Sequence, residues 1–498
     1  MSERWERVLR ASERWGRGVP GDLRPRLGGS WRERHRRGGA LTCDLRSPVP
    51  GRRSPSGARR GAALLLVLWA VAILSLLAGG LTFALRQDLA ITTLQKDRLT
   101  AHVLARAGTE RAVAAVMDHD LPTCVLDDLW CDDPQYFQEI PLTGGTFSVM
   151  HGSHDPQPVA WYGAQDESGK LNLTVATREQ LLELPKMTES IAAAIIDWRD
   201  GNDDPEPEGT EGSHYSALPH PYVIRNGPLR TVRELLCVRG VTPELLYGED
   251  TNANGLLDPN ENDGAASPPT DNADGRLDHG WFAWVTVYSY ERNVSGTGGK
   301  RLNIGTAQAG EMASQLSLED WAAQSIVKAR ENRKFEHLID LLDVQRDTSG
   351  ERTSNEDDIN ERSGSEKDQP VTQSIFRRIV DGITLQNEEM LPGRINLNTA
   401  PQEVLATLPE VDDELASAIV RHRGSGNGYT TIGDLLDVTG MTKEKFAKLE
   451  SCVTVRSNVF RIRSQGRAES DLASATIECV VDRGSSVPRI LYWLESTP

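Results

Sequence analysis

Six cysteines in 498 residues are too few for a disulfide scaffold, and no CxxC pair or Cys/His cluster at zinc spacing occurs. The histidines are scattered, with no HExxH and no Gly-x-Ser-x-Gly elbow. Acid pairs such as Asp203-Asp204 sit in low-complexity loops, where solvation accounts for them. The chain is therefore expected not to be an enzyme. Lysine is absent from residues 1–60, which hold 16 arginines against 6 acids, a net charge of +10. The whole chain carries −17, so residues 61–498 carry about −27. So acidic a body is a poor partner for nucleic acid, because phosphate binding needs clustered Lys and Arg.

One stretch lacks charge altogether. After Arg59-Arg60-Gly61, residues 62–85 have no ionisable side chain and are rich in Leu, Ala and Val. At ~1.5 Å per residue a helix of that length crosses a ~30 Å hydrocarbon core. The helical pattern runs on past Arg86 through Leu89, Leu94, Leu99, Val103, Leu104, Ala107 and Val113 towards Met117. The positive-inside rule places the Arg-rich end in the cytoplasm and the acidic remainder across the membrane. A cleavable secretory signal competes with this reading, but its apolar stretch normally ends after roughly 7–15 residues. The anchor is preferred.

Residues 146–150 and 159–162 read as a hairpin, and 459–463, 475–481 and 489–494 as three more strands. With the helix they make one small α+β domain sewn from both ends of the chain, so everything between is an insertion. That insertion repeats itself. Leu171-Asn172-Leu173, Leu302-Asn303-Ile304 and Ile395-Asn396-Leu397 open three units, and phrases ending in Arg199, Arg330 and Arg423 follow at equal spacing. Val232-Arg233-Glu234-Leu235-Leu236, Ile339-Asp340-Leu341-Leu342 and Ile432-Gly433-Asp434-Leu435-Leu436 close them. The acidic loops 201–212 and 347–369 lack apolar residues and are expected to be solvated.

Residues 250–261 fit the twelve-residue calcium pattern at every ligand position. Asp250, Asn252 and Asn254 supply oxygens on alternate residues, and Gly255 permits the sharp turn. Leu256 offers its carbonyl, Asp258 binds directly or through water, and Glu261 can close bidentately. A structural Ca2+ is the cofactor expected. A weaker copy has Asn272, Asp274, Gly275 and Asp278, with Thr270 and Trp281 where end ligands belong. A strand is expected over 281–288, with Trp281 and Trp284 on one face. Cys124 and Cys131 bracket Leu129-Trp130, and an oxidising compartment would let them pair. Cys237 reads as an inert buried thiol, and Cys452 and Cys479 could meet across a sheet.

The third unit, Ile395-Asn396-Leu397-Asn398-Thr399-Ala400 to Asp434-Leu435-Leu436-Asp437-Val438-Thr439-Gly440-Met441, resembles the helix-hairpin-helix module of competence-type DNA receptors. Such modules offer backbone N–H groups of a glycine hairpin to phosphate. Leu184-Pro185-Lys186-Met187 and Leu408-Pro409-Glu410-Val411 have lost that glycine; Val238-Arg239-Gly240-Val241 and Val438-Thr439-Gly440-Met441 keep it. A packed scaffold is expected rather than a DNA site, although a membrane-anchored DNA receptor is the alternative function.

Arg59-Arg60-Gly61-Ala62-Ala63-Leu64-Leu65, the interrupted helix-and-sheet domain, and Pro221-Tyr222-Val223-Ile224-Arg225-Asn226-Gly227-Pro228 with Val232-Arg233-Glu234-Leu235-Leu236 together resemble the protein K family of type II secretion minor pseudopilins. The resemblance implies a pilin-like α+β fold: a long N-terminal helix on a small antiparallel sheet, with a mainly helical insertion of helix-hairpin-helix-like repeats. It implies cleavage by prepilin peptidase after Gly61 and methylation of Ala62. It implies a place at the pseudopilus tip, initiating or capping the filament, with Leu66 where most pilins carry Glu. Other minor and major pseudopilins and the inner-membrane secretion platform would be partners, and the bulk of the chain would lie in the periplasm. The expected order is a basic, disordered leader (1–61), the pilin helix (62–118) and the first part of the sheet domain (119–169). A first helical unit (170–247), the calcium-loop segment (248–280), and a strand with a second unit (281–346) follow. An acidic linker (347–370), a third unit (371–456) and closing strands (457–498) complete the chain.

Overall fold

The computed structural model describes residues 60–119, 122–152, 160–346, 369–424 and 428–496, with side chains from Leu64 onward. The leader up to residue 59, Cys43 within it, residues 153–159 and most of the acidic linker lie outside the described residues. Two units divide at Gly80. Helix α1, Arg60–Asp118, begins beside the expected Gly61–Ala62 junction and passes Gly79-Gly80 without a break. From Leu64 to Gly80 its side chains are exposed, Leu66 at 71% and Leu76 at 76%.

The second unit begins at Leu81. Here α1 buries Ala101, Leu104, Ala105, Ala112 and Val116, a stripe at helical spacing. The stripe is mostly small, which lets the sheet come close. A Cβ on Gly108 would meet Ser464 Oγ at 2.2 Å, and one on Gly466 would meet the Ala101 carbonyl at 2.0 Å. Other large apolar residues of the same helical pattern point away from the sheet: Leu89 is 67%, Leu99 65% and Val103 57% exposed. Small residues at most of these positions let the layers come close, and Leu104 packs beside Gly145 and Gly466 of the sheet.

The sheet consists of β1 (Ile140–Leu142), β2 (Gly145–Val149), β3 (Gln165–Asp166), β4 (Val459–Ala468), β5 (Ser474–Asp482) and β6 (Arg489–Ser496). Its order is β1-β2-β4-β5-β6, β3 also pairs β4, and every pairing is antiparallel. Phe147 lies opposite Gly466, and Phe460 opposite Val481. Phe147, Phe460, Ile462, Cys479, Trp130 and Phe137 fill the space under α1. Strands from both chain ends thus make one sheet, as the alternating apolar residues predict. The expected hairpin is corrected. Strand β2 pairs β1 and β4, and only His151–Gly152 pairs Ala160–Trp161.

The insertion contains three copies of one wiring. Each opens with two residues that pair in parallel with two closing residues: Leu171–Asn172 with Val285–Thr286, Leu302–Asn303 with Ile383–Thr384, and Ile395–Asn396 with Val453–Thr454. Each unit then has two helices, a 3-10 turn and a later helix, in the third Gln402–Leu405, Asp413–Gly424, Ile432–Asp437 and Lys443–Leu449. The repeated Arg ties opening to helix. Arg330 donates to the carbonyls of Ile304 at 2.8 Å and Ala307 at 2.9 Å. Arg423 does so to Leu397 at 3.2 Å and Ala400 at 2.6 Å, and Arg199 to Leu173 and Ala176. The repeated Asn holds the closing strand: Asn172 Nδ2 donates to the Ser289 carbonyl at 2.8 Å and Asn303 Nδ2 to Asn387 Oδ1 at 2.8 Å. Asn396 Nδ2 reaches Ser457 Oγ at 3.1 Å. Buried carbonyls need such donors, which is why these two residue types recur at fixed spacing.

Several local expectations are corrected. Trp281–Ala283 is a 3-10 turn and only Val285–Thr286 is extended, with Trp281 buried and its Nε1 donating to the Pro185 carbonyl at 2.8 Å. Among the described residues Cys124, Cys131, Cys237, Cys452 and Cys479 are free thiols, so the expected Cys124–Cys131 bond is not made here. Burial pushes the Cys124 thiol up to about 12, Arg483 opposing, and pushes the Cys131 and Cys479 thiols up as well. Cys237 is exposed rather than buried, because the 3-10 turn Val232–Cys237 turns Val232 and Leu235 inward instead. In the acidic loop 201–212 the first eight residues are exposed, but Thr210 and Glu211 are buried over Asp197.

Candidate metal centre and repeat hairpins

Hydrogen bonds link five of the six expected ligand residues of the first loop, Asp250, Asn252, Asn254, Asp258 and Glu261. Asp250 accepts from Asn254 N at 2.9 Å and Gly255 N at 2.8 Å. Asn252 Nδ2 and Asn254 Nδ2 both donate to Asp258 Oδ2, at 2.6 and 2.8 Å. Glu261 spans the loop, accepting from Thr251 N at 3.2 Å with one oxygen and Asp258 N at 3.1 Å with the other. Leu256 N donates to Asn254 Oδ1 at 2.6 Å. Left-handed Ala253 (φ 55°) and Gly255 (φ 70°) make the sharp turn.

The electrostatics favour a cation. Glu261 is 1% and Asp250 8% exposed. Burial pushes the Glu261 carboxyl to about 7, and the Asp250 and Asp258 charges push the same way. Asp250 is likewise raised by burial. Three carboxylates with two amide oxygens are a hard, all-oxygen set, which suits Ca2+.

The second loop is completed by residues that spacing alone did not show. Asn272 Nδ2 donates to Asp278 Oδ2 at 3.3 Å, matching the Asn252–Asp258 bond. Where Trp281 breaks the pattern, Glu249 accepts from Asp278 N at 3.0 Å, as Glu261 does from Asp258 N. Where Thr270 breaks it, Asn262 Oδ1 accepts from Gly275 N at 3.0 Å, as Asp250 does from Gly255 N. Glu249 and Asn262 flank the first loop directly. Their sequence signal is that adjacency, but the pairing across loops is tertiary. Asp274 adds its carboxylate, which accepts from Arg276 N at 2.8 Å. A further acidic group was missed by spacing. Oxygens of Asp197, Asp200 and Glu211 lie within 4.8 Å of one another, and both Glu211 oxygens are buried without a hydrogen-bond partner. These three could also hold a cation.

The repeat hairpins keep their backbone shape without glycine. Lys186 (φ 61°), Ser317 (φ 51°) and Glu410 (φ 60°) take the left-handed residue of the first hairpin in the three units, and Gly240 and Gly440 that of the second. A side chain at this position obstructs the approach of a phosphate. In the third unit Glu410 fills the spot with a carboxylate held by Lys448 Nζ at 2.6 Å. The geometry disfavours nucleic acid.

Residues 163–247 match the family described as type II secretion system protein K, and residues 393–454 match the helix-hairpin-helix motif. The first helical unit is a protein K domain. This is the family that the sequence resembles, and the match places one of its domains within the insertion. Its α+β fold is pilin-like, a long helix on an antiparallel sheet with helix-hairpin-helix units inserted. Helix Leu64–Asp118 is long and apolar enough to cross a membrane, which fits an anchored pseudopilin.

Among solved structures, the GspK–GspI–GspJ complex of the enterotoxigenic Escherichia coli type 2 secretion system is similar at 13% identity, covering 81% of this chain and 99% of that one, with a TM-score of 0.44. Endonuclease/exonuclease/phosphatase family domain-containing protein 1 of Danio rerio is 40% identical over 67 residues, 13% of this chain. The Mus musculus protein of that name gives the same figures. The match spans 12% of those relatives' length.

Proposed function

We propose that the K-like chain sits at the tip of the type II secretion pseudopilus and helps to initiate or cap the filament that exports folded proteins. Supporting this is one juxtaposition: a protein K domain inserted in a pilin-like sheet domain whose helix keeps large apolar residues exposed, among them Leu89, Leu99 and Val103. Small residues of α1 hold its own sheet, which leaves the Leu and Val face for the helices of other minor and major pseudopilins. A bulky insertion suits a terminal place, because repeating it at each filament step would crowd the neighbours. The role is structural rather than catalytic, in the inner membrane with the bulk of the chain in the periplasm. The secretion platform would be a further partner.

Prepilin peptidase would cut after Gly61 and methylate Ala62, at the start of α1. A Ca2+ ion held by Asp250, Asn252, Asn254, the Leu256 carbonyl, Asp258 and Glu261 would neutralise three converging carboxylates and stiffen the loop. Co-expression with active prepilin peptidase should yield membrane protein whose N-terminus, read by mass spectrometry, is methylated Ala62. An intact Gly61–Ala62 bond would defeat the reading. A DNA receptor remains disfavoured by Lys186, Ser317 and Glu410 in the hairpins.

A further inference from the structure

The first cation loop has two faces. Its ligand side chains converge on one side, linked through Asp258 Oδ2, while three consecutive carbonyls face the sheet domain. Gly152 N donates to the Asn254 carbonyl at 3.0 Å. Arg463, on β4, donates through Nη1 to the carbonyls of Asn252 at 2.9 Å and Ala253 at 3.1 Å. Contact is close: a Cβ on Gly152 would stand 1.7 Å from the Gly255 carbonyl oxygen, and one on Gly255 would stand 2.9 Å from Gly152 Cα. The Arg463 carbonyl accepts from Met150 N at 3.0 Å, so the hairpin and the central strand meet the loop as one surface.

We propose that cation binding by loop 250–261 and docking of that loop on Gly152 and Arg463 are one coupled equilibrium, so that Ca2+ pins the helical insertion to the pseudopilin sheet. The proposal rests on reading the loop as a calcium site and adds its regulatory consequence. The physical reason is shared backbone. The ligands at Asn252 and Asn254 and the docking carbonyls of Asn252, Ala253 and Asn254 belong to the same three residues. An ion that orders one set orders the other, and each event must favour the other by the same factor. Without the ion, Asp250, Asp258 and Glu261 repel one another and the carbonyls lose their fixed direction.

The test uses the full-length protein in detergent, with calcium titration and hydrogen exchange at residues 145–152. Calcium should slow exchange at Gly152, and Gly152→Ala and Arg463→Gln should each weaken calcium binding about tenfold. The sign at Arg463 separates coupling from simple charge. Removing a cation beside Asp250 would by itself tighten calcium binding, whereas loss of docking weakens it. Calcium binding that leaves exchange at Gly152 unchanged, or that is equal or tighter in Arg463→Gln, overturns the coupling while leaving the site intact. Absence of calcium binding by the unaltered chain overturns both. Should Gly152→Ala fail to fold, Arg463→Gln and exchange in the unaltered chain still decide.

Discussion

The two oxygen-lined loops differ in where their ligands come from. The first, 250–261, carries every ligand in one run and closes on itself through Glu261. The second, around Asn272, Asp274 and Asp278, borrows its ends from Asn262 and Glu249, which flank the first. A degenerate motif can therefore be complete in space. The two loops also become mutually dependent, because residues that close the second are positioned by the folding of the first.

The largest expected effect is at the self-contained loop. Asp250→Asn combined with Glu261→Gln should weaken calcium binding to it by roughly 100-fold, since carboxylate count tunes affinity in such loops. Calorimetry on the full chain reads this, and unchanged affinity would remove both residues from the site. Next comes pH. The Glu261 carboxyl, at about 7 in the cation-free protein, lies above its ordinary range, so its ionisation opposes folding above pH 7 and its protonation relieves that cost between pH 7 and the ordinary carboxylate range. The cation-free chain should melt higher at pH 6 than at pH 8, and calcium affinity should fall about tenfold per pH unit below 7 because binding expels the proton. An affinity that does not change between pH 8 and 6 would show that Glu261 is not a ligand. The smallest effect tests the borrowed ligand. Glu249→Gln should lower the affinity of the second loop by roughly tenfold with the first less affected. Equal losses at both loops would mean that they bind as one centre.

The same contrast separates what could be read early from what could not. Residues 62–85 declare a helix through composition alone, and the Asn and Arg of the three units declare a repeat through spacing. Those signals are local or periodic. The first cation loop belongs with them, because its ligands alternate within one turn. The helical pattern of α1 did not show which apolar residues meet the sheet: Leu104 is buried, whereas Leu89, Leu99 and Val103 are exposed. The extended reading of 281–288 failed at Trp281, whose indole found a carbonyl partner on a neighbouring helix-hairpin at Pro185. Cys237 was misplaced because a 3-10 turn has a tighter period than the α-helix expected there.

By itself the amino-acid order determined the apolar helix, the acidic body, three copies of one helical unit and the alternating oxygen side chains of loop 250–261, because each is written in neighbouring residues. Only the tertiary structure decided that Glu249 and Asn262 complete a second loop and that Ala101, Gly108 and Ala112 face the sheet. It also decided that Lys186, Ser317 and Glu410 take the left-handed conformation in their hairpins. These outcomes depend on which distant backbone comes close enough to contribute a hydrogen bond or to exclude a side chain.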